Sequence, residues 1–263
     1  MKKELKKIYE LLTKPYMRIL PGNLAFSFMV AIIPIISIIV FMLNVFNISS
    51  PSVLSKLTSF IPEAVLDILS VFLKSNAWNS ALLLILGFWT ASSGMHALII
   101  ASNVVYDFNG GRYIERRVKS LLLTFLIILI IIINLGVLVF GDTVVKFIIN
   151  IFSLPSIILA LFSAFKWPIA IIPIYFVVKI IYTAVPDVPI KSKYVTKGAV
   201  FTTLLWLLAS ALYSFYVSNI VDYSIKYGSL SNIIILLIWL YILSYILVLG
   251  TAINVNQYNK SLK

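Results

Sequence analysis

Two serines and a histidine in one apolar stretch are the first residues whose types and spacing could do chemistry. Ser92 and Ser93 lie four and three residues before His96, the only histidine of the chain. On a helix this spacing brings a hydroxyl within reach of an imidazole, as in a serine nucleophile with its base. A nucleophile also needs oxyanion donors from irregular backbone, and the surrounding sequence suggests none. We favour the alternative, a polar contact between membrane helices, worth about 0.6 kcal/mol.

A second polar group follows where the same stretch leaves its apolar composition. Asn103 and Tyr106 lie at the end of the apolar run, and Asp107 and Arg112 begin a basic loop. Polar groups at such a position normally face a bundle interior or a substrate path. The structural alternative is a helix cap, in which 109–111 ends the helix and the arginines contact lipid phosphate. The candidate residues for a substrate path are His96, Asn103, Tyr106, Asp107 and Arg112.

Metal and thiolate chemistry find little support in the sequence. A metal-dependent nuclease needs clustered histidine and acidic ligands, whereas this chain has one histidine and nine scattered acidic residues. There is no cysteine, and no phosphate-binding glycine loop is present. We therefore expect no metal site, no cofactor and no enzymatic activity.

Composition indicates a membrane protein. Hydrophobic residues make up 61% of the chain and charged residues 11%, against about 25% charged in soluble proteins. The mean hydropathy is +1.06, and several apolar runs reach or exceed the ~20 residues that cross a bilayer. The sequence predicts an all-α polytopic membrane protein, a single membrane domain over 1–263.

Six transmembrane helices are expected, preceded by a basic amphipathic segment at 1–20 and accompanied by short interfacial helices at 51–75 and 144–152. Pro34 should kink the first span. Ser93, Ala97 and Ala101 share one face of the second span, where another helix could approach closely. The predicted spans are about 23–46, 77–106, 121–140, 156–182, 198–220 and 231–254.

The distribution of basic residues predicts the orientation. With six spans and both termini in the cytoplasm, 15 of the 21 lysines and arginines fall in inner segments and four in outer ones. The remaining two are Lys166, expected to snorkel beside Trp167, and Lys179. This asymmetry follows the positive-inside rule and explains the net charge of +12 without nucleic acid as a partner.

The order of several motifs resembles one family. NLAFSFMVAIIP (23–34), FWTASSGMHALIIASNVVYD (88–107), IYTAVPD (181–187), TKGAV (196–200) and the segment 213–254 are similar to conserved stretches of the YihY/BrkB family of bacterial inner-membrane proteins, once labelled ribonuclease BN. The family usually ends G-A-E-x-N, and this chain has Ala252 at the acidic position. The motif positions retained are Pro34, Trp89, Ser93, Gly94, Pro186, Gly198, Tyr216, Tyr227, Gly228, Trp239, Gly250 and Asn254.

The resemblance implies a six-helix protein of the bacterial inner membrane without an agreed activity, some of whose relatives are linked to lipid export. Together with the polar second span, it suggests a transporter or translocator of a lipid-related or amphiphilic substrate. The alternative is a non-transporting protein that organises lipids or partner proteins. Membrane lipids are the expected partners, with a homo-oligomer or a partner membrane protein as a further expectation.

Overall fold

Every regular element of the described chain is an α-helix, which confirms the predicted all-α class for that part of the protein. The structure is a computed structural model that describes residues 13–45, 77–109, 111–152, 155, 157–219 and 231–261. The helices are α1 (Pro15–Val45), α2 (Ala77–Tyr106), α3 (Tyr113–Phe152), α4 (Ile157–Ala184), α5 (Ser192–Asn219) and α6 (Ser231–Lys260).

The helices pack as a closed ring. Each helix contacts its neighbours in chain order, and α6 completes the circle by packing against α1 as well as α5. A further contact between α2 and α6 crosses the ring. Sequence neighbours therefore pack side by side, which short connections favour.

Helix α2 has the bounds that the sequence predicts, but α3 does not. The separate surface helix expected at 144–152 is wrong, because α3 continues unbroken for 40 residues, from Tyr113 to Phe152. At 1.5 Å per residue it is about 60 Å long, twice the thickness of the hydrocarbon core. Gly136 and Gly141 lie inside it and do not end it.

Two other helices begin earlier than expected. α1 starts at Pro15, so residues 15–20 are part of the first long helix and not of a separate basic segment. Proline suits this first position because its missing N–H has no helical partner there. α5 starts at Ser192. Residues 1–12 and the interfacial helices expected at 51–75 lie outside the described residues.

Three described stretches are long and apolar enough to cross a membrane. They are Ile85–Tyr106 in α2, Ser192–Tyr213 in α5 and Ile233–Lys260 in α6, and Ile171–Ala184 is a shorter apolar helical stretch. The protein is therefore a membrane protein by length and composition.

The close contact of α1 with α2 passes through Gly94. A β-carbon built there would lie 3.1 Å from Phe28 Cδ1 and 3.3 Å from Ala31 Cβ, so glycine lets the helices approach. Of the predicted small-residue face, Ala101 is buried, whereas Ser93 and Ala97 are half-buried.

The core lies at one end of the ring, which we call the basic end: the end that carries the α2–α3 loop (107–112) and the α4–α5 loop (185–191). Its buried apolar side chains come from the N-terminal halves of α1 and α5 and from the C-terminal halves of α2, α4 and α6. They include Met17, Leu24, Ile99, Val178, Val185, Val195 and Leu247. This packed core fixes the positions of the polar groups described next.

Candidate functional site

The serines and the histidine of α2 do not form a nucleophile–base pair. Ser92 Oγ donates to Trp89 O at 2.7 Å, and Ser93 Oγ donates to Thr90 O at 2.6 Å. Both hydroxyls thus bind the backbone of their own helix. The His96 ring instead packs edge-on against Tyr113, with centroids 5.4 Å apart.

Asp107, and not the turn at 109–111, ends α2. Its φ of 57° is left-handed. Phe108 N donates to Asn103 O at 2.9 Å, and Asp107 N lies 3.4 Å from Val104 O. These two bonds are those of a Schellman motif, in which aspartate takes the place usually held by glycine. A cap therefore ends the helix, as the structural alternative expected, but the expected position at 109–111 is wrong.

Three elements meet just beyond this helix end. Arg116 of α3 donates to Asp187 Oδ2 from Nε at 2.9 Å and from Nη2 at 2.5 Å. Asn103 of α2 accepts from Asp187 N at 2.8 Å, and Lys119 Nζ donates to Pro186 O at 2.6 Å. We call Asn103, Arg116, Lys119, Pro186 and Asp187 the junction cluster. It ties α2 and α3 to the α4–α5 loop.

Gly111 makes this junction sterically possible. A β-carbon at Gly111 would overlap the Asp187 carboxylate and collide with Arg116 Nε. The loop can therefore pass beside the ion pair only because this residue has no side chain.

The charges of the junction cluster affect one another. Burial raises the pKa of Asp187, but the hydrogen bonds and charge of Arg116, the neighbouring Asn103 amide and the Lys119 ammonium outweigh it. The pKa of this carboxyl therefore lies below its usual value, and Asp187 is ionised at neutral pH. Burial lowers the pKa of Lys119, an effect that the charge of Asp187 partly offsets.

A groove of about 380 Å³ opens beside the junction cluster. Part of its wall is apolar, where Ile100 and Val104 are 43% and 51% exposed. Asn103 lies at its polar floor, where it is only 3% exposed. The groove is lined by Ile100, Asn103, Val104, Asp107, Phe108, Asn109, Gly111 and Arg116.

The groove unites some of the predicted path residues and leaves others out. Asn103 and Asp107 line it. Tyr106 is buried behind it, stacked on Phe108 with centroids 5.2 Å apart. Arg112 is exposed and lies 3.8 Å from Glu115. His96 and Arg112 are therefore not groove residues.

Sequence reasoning missed Arg116, Lys119 and Asp187. The two cations belong to the basic run that begins at Arg112, and Asp187 follows the predicted turn at Pro186. Since Arg116 and Asp187 are 71 residues apart, no local pattern could pair them.

A buried arginine next to the junction cluster contacts Trp89, one of the motif positions. The Arg117 guanidinium lies 4.0 Å from the centroid of the Trp89 ring, and Nη2 donates to Trp89 O at 2.6 Å. Trp89 itself is exposed at the surface of the bundle. The pair fits the cation–π and interfacial roles of such residues in membranes.

Several other motif positions join α4, α5 and α6. Gly198 N donates to Asn254 Oδ1 at 3.0 Å, and a β-carbon at Gly198 would collide with Asn254. A β-carbon at Gly250 would overlap the hydroxyls of Tyr182 and Thr202, which are 2.6 Å apart. These glycines permit close helix packing around buried hydroxyls.

The remaining motif positions are varied in their surroundings. Trp239 Nε1 donates to Ser210 Oγ at 3.2 Å, and Tyr216 is exposed. Ala252, at the acidic position of the family, is buried in the core. Tyr227 and Gly228 lie outside the described residues. Among the residues that the structure describes, no group of three or more His, Asp or Glu is placed to hold a metal ion.

Comparisons with known proteins give a consistent result. The model of the family described as virulence factor BrkB matches residues 17–262. The ribonuclease-like protein YfkH of Bacillus subtilis is 28% identical over 239 residues, which cover 89% of this chain and 87% of YfkH. A UPF0761 membrane protein of Pseudoalteromonas translucida is 24% identical over 89% of this chain and 78% of its own.

A UPF0761 membrane protein of Chromobacterium violaceum is 23% identical over 88% of this chain. This chain spans only 56% of that longer relative. No solved structure matches.

Proposed function

Since this chain belongs to the BrkB family of membrane proteins, we propose that it crosses the bacterial inner membrane six times and translocates a lipid-related amphiphile. Both termini lie in the cytoplasm in this proposal, and the basic end faces inward. The six described helices are each at least 28 residues long, more than the ~20 that span a bilayer. The excess of basic residues in the segments assigned to the inside supports the same orientation.

The observation that carries the translocation proposal is the mixed chemistry of the groove. An exposed apolar wall, Ile100 and Val104, runs beside a floor that holds the buried amide of Asn103 and the guanidinium of Arg116. An amphiphile needs both kinds of surface, one for its chain and one for its headgroup. Intramembrane polar groups that face such a cavity normally belong to a substrate pathway.

One observation favours the organising role as a second candidate. Asn103 Oδ1 already accepts a hydrogen bond from Asp187 N, so this side chain also acts as a tertiary contact. A protein that only organises lipids or partner proteins would use the junction cluster as a fixed brace. The two functions therefore differ in whether lipid crosses the bilayer.

Lipid movement in proteoliposomes distinguishes them. The probes are two fluorescent phospholipids, one anionic and one zwitterionic, reduced from outside by dithionite. Wild type should accelerate the loss of inner-leaflet fluorescence of at least one probe, and Asn103→Leu should return the rate to that of protein-free vesicles. Asn23→Leu, at an exposed position of α1 away from the groove, is the matched control and should behave as wild type.

The Asn103→Leu variant is compared only if it elutes from size exclusion as wild type does. If wild-type vesicles match empty ones for both probes, lipid translocation by the isolated protein is ruled out and the organising role is preferred.

A further inference from the structure

We infer that the groove is a receptor for an anionic phosphate headgroup of a membrane lipid, and that Asp187, which pairs with the groove residue Arg116, is the internal counter-ion of this receptor when no headgroup is bound. The inference deepens the proposed function and rests on it for the lipid as substrate. It adds the headgroup class and a residue that competes with it.

The first support is the charge balance of the junction cluster. Two cations, Arg116 and Lys119, lie near the single carboxylate of Asp187, which is half-buried. Arg116 pairs with the carboxylate, whereas Lys119 donates to a neutral carbonyl, Pro186 O. Desolvated positive charge is costly unless an anion compensates it. The cluster can therefore accept one further negative charge.

The second support is the hydrogen-bonding capacity that Asp187 leaves unused. Both Arg116 donors converge on a single oxygen, Asp187 Oδ2, although a guanidinium can bind two oxygens side by side. Asn103 Nδ2 is buried and makes no hydrogen bond of normal geometry among the described residues, although the Asn103 amide lies close enough to Asp187 to help lower the pKa of that carboxyl. Its side chain lines the groove. A phosphate has several acceptor oxygens and could bind the Arg116 and Asn103 donors with different ones, whereas Asp187 accepts from Arg116 with one oxygen only.

The third support identifies the source of the phosphate. Ile100 and Val104 form an exposed apolar wall next to these donors, which a free phosphate ion would not need. An acyl or glycerol chain would cover this wall and remove apolar surface from water. Gly111 adds no side chain at the rim, where a β-carbon would collide with Arg116 and Asp187. The arrangement fits a lipid, not a free anion.

Equilibrium binding to the purified protein tests the inference without any transport. The probes are dihexanoyl-phosphatidylglycerol, dihexanoyl-phosphatidylcholine and inorganic phosphate, each titrated below micelle-forming concentration by calorimetry. Wild type should bind the anionic lipid at least about tenfold more tightly than the zwitterionic one, because one charge-assisted contact is at stake. Inorganic phosphate should bind weakly.

Three variants assign the preference to the groove. Arg116→Gln should reduce the ratio of the two lipid affinities to about one, and Asp187→Asn should strengthen binding of the anionic lipid several-fold by removing the competing carboxylate. Arg112→Gln is the matched control, because Arg112 is exposed, is not a lining residue and carries the same charge. It should leave both affinities unchanged.

Equal affinities of wild type for the two lipids would overturn the inference, and this comparison needs no variant to fold. Phosphate binding as strong as that of the anionic lipid would overturn the lipid assignment. Weaker binding by Asp187→Asn would overturn the counter-ion role. The proposed translocation is tested by the separate fluorescence assay, and it is wrong if neither fluorescent probe crosses the bilayer.

Discussion

At the residue scale, the junction cluster depends on a glycine. Replacing Gly111 with alanine should break the Arg116–Asp187 pair, because the new β-carbon would overlap the carboxylate. We expect a loss of about 1.5–3 kcal/mol in the free energy of unfolding, the range for a hydrogen bond to a charged group. Thermal unfolding in detergent measures it.

Gly22→Ala is the control for this substitution. Gly22 lies inside α1, and nothing lies within 4 Å of a β-carbon built there. Its replacement should stabilise the helix by about 0.5–1 kcal/mol. A Gly111→Ala protein as stable as wild type would contradict the packing described for the α2–α3 loop.

The ion pair also predicts a dependence of stability on pH. The pKa of Asp187 is lowered in the folded protein, so its contribution is complete above the unfolded value of about 3.9 and is lost as the pH falls through the folded value. The difference in unfolding free energy between wild type and Asp187→Asn should be constant from about pH 5 to 8 and shrink below about pH 4. A difference that grows with acidity would contradict the ionised pair.

Some of these residues could be predicted from sequence and others could not. Asn103 stands out because an amide in an apolar run needs a reason to be there. Arg116 and Arg112 are equally basic and four residues apart, so composition cannot choose between them. Only the packing of α3 against the α4–α5 loop turns Arg116 towards Asp187 and leaves Arg112 exposed.

At the element scale, the sequence predicted helix α2 well and the end of α3 poorly. The apolar run from Ala77 to Tyr106 is long, and it ends in an abrupt change to polar residues. In α3, the predicted span ended at residue 140 and a separate surface helix was expected at 144–152, but Gly141, which lies between them, weakens a helix by only about 1 kcal/mol. The sequence from there to Phe152 is apolar enough for the helix to continue.

The close packing of α5 on α6 predicts that a larger side chain in their interface destabilises the protein. Gly250→Ala should lower the melting temperature, because its β-carbon would overlap the hydroxyls of Tyr182 and Thr202 in the buried interface. Overpacking of this kind costs about 1–3 kcal/mol. The measurement is thermal unfolding in detergent, followed by loss of the monodisperse peak.

Gly87→Ala is the matched helical control, since its β-carbon would make an ordinary contact of 3.6 Å with Pro34 Cβ. It should leave the melting temperature unchanged or slightly higher. If Gly250→Ala and Gly87→Ala melt together, close approach of α5 and α6 at Gly250 is not required.

At the scale of the whole molecule, introduced single cysteines can report the orientation in the membrane. The chain has no cysteine of its own, so no other thiol would react. Arg112 lies just before α3, and Lys146 lies within it. At 1.5 Å per residue, single cysteines at these two positions would be about 50 Å apart along the helix axis. A membrane-impermeant maleimide should label Lys146→Cys in intact cells and Arg112→Cys only after permeabilisation. The reverse pattern would place the basic end outside.

The central claim is that lipid crosses the membrane by way of the groove, and blocking the groove tests it most directly. Val104→Cys places a thiol on the exposed groove wall, and Val200→Cys places one on an exposed face of α5 outside it. Each variant is reconstituted with a fluorescent phospholipid and assayed before and after complete reaction with a bulky maleimide.

Modification of Val104→Cys should reduce lipid translocation to the rate of protein-free vesicles, whereas modification of Val200→Cys should leave it unchanged. Translocation that continues at full rate through fully modified Val104→Cys, or that is absent from the unmodified protein, would contradict the claim.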